Sequence, residues 1–196
     1  SITTASGIGY YNGNIELTTP VVDWGIVDYF ERENETLTSE ESWFQITAQR
    51  AGMVTVEATF ADAQGNVDLE LYTTDGTLVS SSNAGSNYER VDVAADQGES
   101  LLLHVVGRNA DVGFRLANLV GTSGDRLHIA GTSGDDAINI RLGKSIDISV
   151  NGIDYSWEAS QIATVHIDGS RGDDRLLLTG GVSKEQVQLR PGSVDV

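Results

Sequence analysis

The chain has 196 residues, enough for one large or two small domains, and 39% are hydrophobic, enough for a packed core. Twelve lysines and arginines oppose 29 aspartates and glutamates, which gives a formal net charge of -17. That balance argues against nucleic acids and anionic membranes as partners, because both attract clustered basic side chains. A dense carboxylate surface suits divalent cations, or it simply keeps the protein soluble.

The sequence contains no cysteine, so disulfides and thiol chemistry are not available to it. No apolar run is long enough to span a bilayer, and the first residues lack the basic and apolar regions of a signal peptide. We therefore expect an extracellular or cell-surface protein whose signal peptide was removed or lies upstream. Metal ions can replace disulfides in stabilising such a β-rich fold.

Alternating apolar and polar residues predict β-strands along the first 120 residues. In AGMVTVEATF, one face of the predicted strand is apolar, and in NVDLELYTTDG the same alternation places Asp68, Glu70 and Tyr72 on the outer face. Asp75 and Gly76 form a turn signal, and TLVSSS then predicts the next strand. No segment has a helical apolar period, apart from a short turn near residues 158–161. The sequence therefore predicts an all-β fold.

After Gly121 the strands become shorter and follow similar glycine turns. Gly-x-x-Gly-Asp begins at Gly121, Gly131 and Gly169, and an apolar strand follows each copy. The unequal spacing of ten and then thirty-eight residues predicts a degenerate repeat that is out of register, and not a uniform solenoid. Asn151-Gly152 predicts a tight hairpin turn between two of these copies.

The change of pattern near Gly121 predicts a jelly-roll-like β-sandwich before it. The resemblance of residues 39–120 to a known sandwich family sets the start of this region, and it implies that residues 1–38 are a lead-in packed on the sandwich. Residues 121–196 are predicted to form a smaller β-rich repeat segment, either solenoid or hairpin-like. The last residues, VQLRPGSVDV, stop within a strand-like pattern that has no polar capping repeat. We therefore expect the chain to be a truncated piece of a larger protein.

Residues 39–120 resemble the bacterial pre-peptidase C-terminal domain family, a β-sandwich attached to secreted enzymes and surface proteins. The resemblance rests on SWFQITAQRAGMVTVEATF, NVDLELYTTDGTLVSSS and ESLLLHVVGRNADVGFRLANL. In such sandwiches the Asp-Leu-x-Leu-Tyr strand neighbours an ion site, so the resemblance makes Asp68 a candidate metal ligand. Ordinary polar-outward alternation explains Asp68 equally well.

The second half resembles the C-terminal repeats of large secreted planctomycete-type surface proteins, which are similar to the haemolysin-type calcium nonapeptide Gly-Gly-x-Gly-x-Asp. The ligating sixth position is Asp136 in the second copy and Asp174 in the third, whereas Arg126 occupies it in the first. The adjacent Asp135 and Asp173 add carboxylates, and calcium takes six to eight oxygen ligands. The resemblance thus implies calcium as a cofactor. The alternative is that these aspartates only cap their turns by accepting backbone hydrogen bonds.

Exposed aromatic side chains could stack on sugar rings, and Trp24, Tyr72, Tyr88 and Trp157 are candidates, although aromatic residues of β-proteins more often belong to a core. Catalysis is not expected, because there is no cysteine and no Gly-x-Ser-x-Gly elbow. His104, His128 and His166 each stand alone in an apolar strand, which is typical of packing residues.

The sequence predicts a non-catalytic, calcium-binding extracellular module that serves adhesion, or carbohydrate or matrix binding, within a larger secreted protein. A structural, calcium-stabilised spacer is one alternative. A non-catalytic part of a polysaccharide-degrading enzyme is the other.

Overall fold

A computed structural model describes residues 8–11, 14–17, 20–181, 188–190 and 193–195, with side chains for residues 20–181. Strands dominate this part of the chain, joined by two short 3-10 turns at Asp62–Gln64 and Ala159–Gln161. The all-β prediction is therefore confirmed. The strands are β1 (Ile8–Tyr11), β2 (Asn14–Leu17), β3 (Val21–Val27), β4 (Tyr29–Leu37), β5 (Glu41–Ala48), β6 (Gly52–Phe60), β7 (Asp68–Thr73), β8 (Leu78–Ser82), β9 (Tyr88–Ala95), β10 (Ser100–Val106), β11 (Asn109–Ser123), β12 (Arg126–Ala130), β13 (Ala137–Leu142), β14 (Ser145–Val150), β15 (Ile153–Glu158), β16 (Thr164–Asp168), β17 (Arg175–Thr179), β18 (Gln188–Arg190) and β19 (Ser193–Asp195).

The chain divides into two compact units, Ser1–Asn118 and Leu119–Val196, close to the predicted end of the sandwich at residue 120. In the first unit, one sheet has five strands in the order β3-β5-β10-β7-β8. β3 and β5 pair in parallel, and the other neighbours are antiparallel. The facing strands are β9, β6, β11 and β4, with β4 paired antiparallel to β11.

Alternation of apolar and polar residues explains how the first unit packs. The predicted inward residues of β6 and β7 are buried in one core cluster, together with Trp24 and Phe114. Trp24 lies in β3, and β3 and β4 are members of the two sheets. The part of the predicted lead-in from Val21 to Leu37 is therefore part of the sandwich itself, because β3 pairs in parallel with β5 and β4 pairs with β11. β1 and β2 pair only with each other, in a separate two-stranded sheet.

The second unit contains stacked parallel strands. The end of β11 forms a hairpin with β12, and β12 pairs in parallel with β16, which pairs with β19. A four-stranded sheet has the order β15-β14-β13-β17, in which β13 and β17 are also parallel. Apolar residues therefore lie in register above one another, as Leu127 does with Val165 and Ile129 with Ile167, and all four are buried.

Candidate functional site

Two of the three Gly-x-x-Gly-Asp turns lie side by side in the second unit. The turn Gly131–Asp136 joins β12 to β13, and the turn Gly169–Asp174 joins β16 to β17. The same offset relates the strands on both sides, since Arg126 pairs with Thr164 and Ala137 with Arg175. The turns are therefore in register, and the prediction that the spacing breaks the register is wrong. The hairpin of β14 and β15 lies between the two turns in sequence and accounts for the extra residues.

Asp136 lies at the centre of this pair of turns and is only 3% exposed. Its Oδ2 accepts a hydrogen bond from the backbone N–H of Thr132 at 2.7 Å, and the Thr132 hydroxyl lies 3.1 and 3.3 Å from its two oxygens. The side-chain amide of Asn151 donates to Oδ1 at 2.7 Å. An ionised carboxylate offers about four acceptor positions, so these donors occupy most of its capacity.

The carboxylates of Asp174 and Asp135 accept hydrogen bonds from the backbone of the opposite turn. The backbone N–H of Asp136 donates to Oδ1 of Asp174 at 3.1 Å. In the opposite direction, the backbone N–H of Asp173 donates to Oδ1 of Asp135 at 2.8 Å. Asp135, Asp173 and Asp174 are exposed, whereas Asp136 is buried. Each turn thus supplies an acceptor to the backbone of the other.

Glycine is required where the two turns touch. A Cβ on Gly131 would overlap the carbonyl oxygen of Gly169, and one on Gly172 would overlap that of Gly134. Gly172 also has a φ of 113°, which L-residues rarely adopt. The glycines of the motif therefore allow close contact between two backbones, in addition to turning the chain.

The first copy of the motif has a different role. Gly124 and Asp125 form the tight turn of the hairpin between β11 and β12, with a φ of 62° at Gly124. Asp125 is exposed, and Arg126 is the first residue of β12. This copy does not join the stacked pair, because its turn closes an antiparallel hairpin, whereas the strands joined by the other two turns pair in parallel with one another.

The calcium ligands predicted from the sequence are divided between the two units, Asp68 in the first and the turn aspartates in the second. Asp68 begins β7 in the first unit, where it accepts a hydrogen bond from the Asn66 amide at 2.8 Å. Within residues 20–181, no group of three or more histidine, aspartate or glutamate side chains is arranged to hold a metal ion. Asp136 does not fit a cation, because N–H and O–H donors already point at its oxygens.

The four aromatic candidates have separate surroundings. Trp24 is 8% exposed and stacks on Phe44 with ring centroids 4.0 Å apart, so its ring is not accessible to an external sugar. The Tyr72 hydroxyl donates to Glu70 at 2.7 Å. Tyr88 is 40% exposed, and burial together with its hydrogen bond to Glu57 raises its pKa to about 12. Trp157 stacks on Tyr155, with ring centroids 5.9 Å apart.

A cavity that the sequence did not indicate lies on the outward face of the four-stranded sheet. Its volume is about 510 Å³. We call this surface the polar face, because strand alternation directs apolar side chains such as Ile138 and Ile148 inward and polar ones outward. The side chains that define the polar face are Asn139, Arg141, Asp147, Ser149, Asp154, Ser156, Leu177 and Thr179.

One half of the polar face is occupied by its own hydrogen bonds. Arg141 donates to Oδ2 of Asp147 from Nε at 3.1 Å and from a terminal nitrogen at 2.6 Å, and the Ser156 hydroxyl donates to Oδ1 at 2.7 Å. Hydrogen bonds from Ser156 and Arg141 lower the pKa of Asp147, so this carboxylate remains ionised. The arrangement fixes three side chains on neighbouring strands.

The other half of the polar face has free hydrogen-bonding groups. The side chains of Asn139, Ser149, Asp154 and Thr179 make no hydrogen bond to any residue that the structure describes. Leu177, on the adjoining strand, is 49% exposed. The alternating polar residues of SIDISVNGIDYSW could have indicated one half of this surface. The parallel pairing that brings β17 beside β13 had no comparable signal.

The chain is similar to known proteins in its fold and not in its sequence. No family model and no curated protein matches the chain. A solved structure similar to it is the pre-peptidase C-terminal domain of collagenase from Bacillus anthracis, with 11% identity, a TM-score of 0.37, and coverage of 50% of this chain and 93% of that domain. Another is PliG of Aeromonas hydrophila, a periplasmic inhibitor of g-type lysozyme, with 8% identity, a TM-score of 0.37, and coverage of 50% and 96%. At these values neither protein's function carries over.

In the described ranges, no helix is long and apolar enough to cross a membrane.

Proposed function

We propose that the chain is a non-catalytic, extracellular module that attaches a larger secreted protein to polysaccharide or to extracellular matrix. The observation that carries the proposal is the polar face with its cavity of about 510 Å³. Ligand sites commonly have volumes of roughly 300 to 1,000 Å³ and a few well-placed polar groups. Free amide, hydroxyl and carboxylate groups on paired strands suit recognition, because the sheet holds them at fixed spacing.

The test is retention of the full chain on immobilised ligands. Affinity gel electrophoresis with dissolved xylan, galactomannan, dextran, β-glucan and polygalacturonate measures binding to polysaccharides. A solid-phase assay on immobilised collagen and fibronectin measures binding to matrix proteins. We expect retention by at least one of these ligands. Migration and signal equal to those of bovine serum albumin throughout would contradict the proposal.

A structural spacer is the second candidate function, and the stacked turns favour it. Parallel strands in register with reciprocal hydrogen bonds between Asp135, Asp136, Asp173 and Asp174 make a regular and rigid unit. A spacer would show no retention on any of the ligands above.

Calcium stays a prediction of the sequence. Because hydrogen-bond donors converge on Asp136, the exposed carboxylates of Asp135, Asp173 and Asp174 are the better candidates for its ligands. Calorimetric titration of EDTA-stripped protein tests this prediction. Binding heat that is present in the unmodified chain and absent from Asp173→Asn would support the prediction. The absence of heat at millimolar calcium would contradict it.

A further inference from the structure

We propose that the polar face binds a neutral, hydroxyl-rich glycan chain laid across the strands of the four-stranded sheet. The inference rests on the proposed function and narrows its ligand to one chemical class. It depends on three properties of this surface, namely the order of its side chains, its charge and its exposed leucine.

The side chains of the polar face form two rows across the sheet. In the first row, Leu177 lies beside Asn139, Asn139 beside Ser149, and Ser149 beside Asp154. In the second row, Thr179, Arg141, Asp147 and Ser156 follow one another in the same way. Neighbouring strands are about 4.8 Å apart, so each row is roughly 14 Å long. The two rows form a shallow binding surface of a length that suits an extended glycan chain.

The first row offers the hydrogen-bonding groups that sugars need. Each sugar hydroxyl both donates and accepts a hydrogen bond. The Asn139 amide can do both, the Asp154 carboxylate accepts two, and the Ser149 hydroxyl between them can do either. None of these three groups has a partner among the described residues, so binding a glycan would not require existing side-chain hydrogen bonds to be broken.

Charge on the polar face selects against acidic ligands. Arg141 forms an ion pair with Asp147, so the two side chains together add no net positive charge to the face. Asp154 has no cationic partner in the part of the chain that the structure describes, and its carboxylate would repel a uronic acid, a sulfated sugar or a nucleic acid. A neutral glycan meets no such penalty, and it can use the same carboxylate as a hydrogen-bond acceptor.

Leu177 supplies an apolar contact at one end of the first row. It is 49% exposed on a surface that is otherwise polar. The C–H groups of a sugar ring form an apolar patch, and covering a half-exposed leucine with such a patch removes apolar area from water. The apolar contact and the hydrogen-bonding groups therefore lie in a single row, as an amphipathic glycan requires.

The test compares the double variant Asn139→Ala/Asp154→Ala with Asp125→Ala. Asp125 is exposed in a different turn of the same unit, so Asp125→Ala removes the same charge without touching the polar face. Affinity electrophoresis uses xylan, galactomannan, dextran and β-glucan as neutral probes and polygalacturonate as the acidic one. We expect the affinity of the double variant for the retained neutral probe to be at least about tenfold lower, because two hydrogen-bonding groups are lost. Asp125→Ala should bind as the unmodified chain does.

Each other outcome overturns the inference in a recognisable way. Retention by a neutral probe that is equal in the double variant leaves the proposed function standing and rules out the polar face. Retention only by polygalacturonate or only by a matrix protein rules out the neutral glycan. No retention by any ligand defeats both proposals. The melting temperature of the double variant is the control for folding. If it is unchanged, a loss of binding is not caused by unfolding.

Discussion

Asp136 is a buried carboxyl group on which three hydrogen-bond donors converge. The N–H and hydroxyl of Thr132 and the amide of Asn151 converge on its two oxygens. A buried carboxylate is tolerated only when its acceptor positions are filled. In a calcium-binding turn a cation would meet this need. Here the protein's own donors meet it, so the turn is closed by side chains and backbone.

Replacing Asp136 with asparagine tests this account. One oxygen becomes an NH₂ group that faces donors, so we expect Asp136→Asn to lower the free energy of unfolding by about 1 to 3 kcal/mol. Urea denaturation in the presence of EDTA measures the change. Asp125→Asn is the matched control, because Asp125 occupies the exposed first copy of the motif and should alter stability little. Equal effects of the two substitutions would contradict the account.

At the residue scale, the motif identified Asp136 but not its partners. Thr132 lies within the same turn, so its contribution was accessible as ordinary turn capping. Asn151 comes fifteen residues later, from the tip of the hairpin of β14 and β15. Its position depends on the register between β13 and β14, which turns and packing set together. The ion pair of Arg141 with Asp147 could not be predicted for the same reason.

At the scale of elements, β12 and β16 bring two histidines together. His128 pairs in register with His166, and their ring centroids are 5.6 Å apart. Partial burial lowers the pKa of His128, and the charges of His166 and Arg126 lower it further. An unfolded histidine titrates near a pKa of about 6.5, so the unfolded chain takes up a proton that the folded chain resists.

Stability should therefore decrease as the pH falls through about 6.5, with no further loss from this group below the folded pKa of His128. Replacing His128 with asparagine removes the titrating group. We expect His128→Asn to show a smaller drop in melting temperature between about pH 7.5 and about pH 5.5 than the unmodified chain does. Arg126→Gln, which relieves only part of the repulsion, should give an intermediate drop. Identical drops in all three proteins would exclude His128 as the cause.

The individual strands were largely predictable, whereas their pairing was not. Period-two alternation located β6 and β7, and Asn151-Gly152 located the hairpin turn correctly. Parallel pairing of β3 with β5, and of β12 with β16, joins segments distant in sequence. Such pairing depends on long-range burial, for which no local residue pattern exists. The strands before the two turns and the strands after them pair with the same offset, and only the three-dimensional structure shows this.

At the scale of the whole molecule, the formal net charge of -17 is the dominant property. Like charges repel across the folded surface and relax when the chain expands, so low ionic strength should destabilise the protein. Raising sodium chloride from about 0.01 M to about 0.15 M shortens the screening length from roughly 30 Å to roughly 8 Å. We expect the melting temperature to rise over this range.

Calcium chloride at matched ionic strength is the informative control for the salt series. A rise equal to that in sodium chloride means that screening alone acts. A larger rise that is absent from Asp173→Asn indicates a bound cation. A melting temperature that falls with added sodium chloride would show that attractive ion pairs, such as Arg115 with Glu57, outweigh the net repulsion.

The contact between Asn151 and Asp136 has a consequence for sequence searches. Since the amide at the hairpin tip must reach the turn, insertions or deletions in β14 should be rare in related chains. Two intervals should then be preserved together: fifteen residues from the turn aspartate to the tip asparagine, and thirty-eight between the paired turns. A profile built on both intervals would find distant relatives that the short glycine motif, common by chance, cannot separate from background.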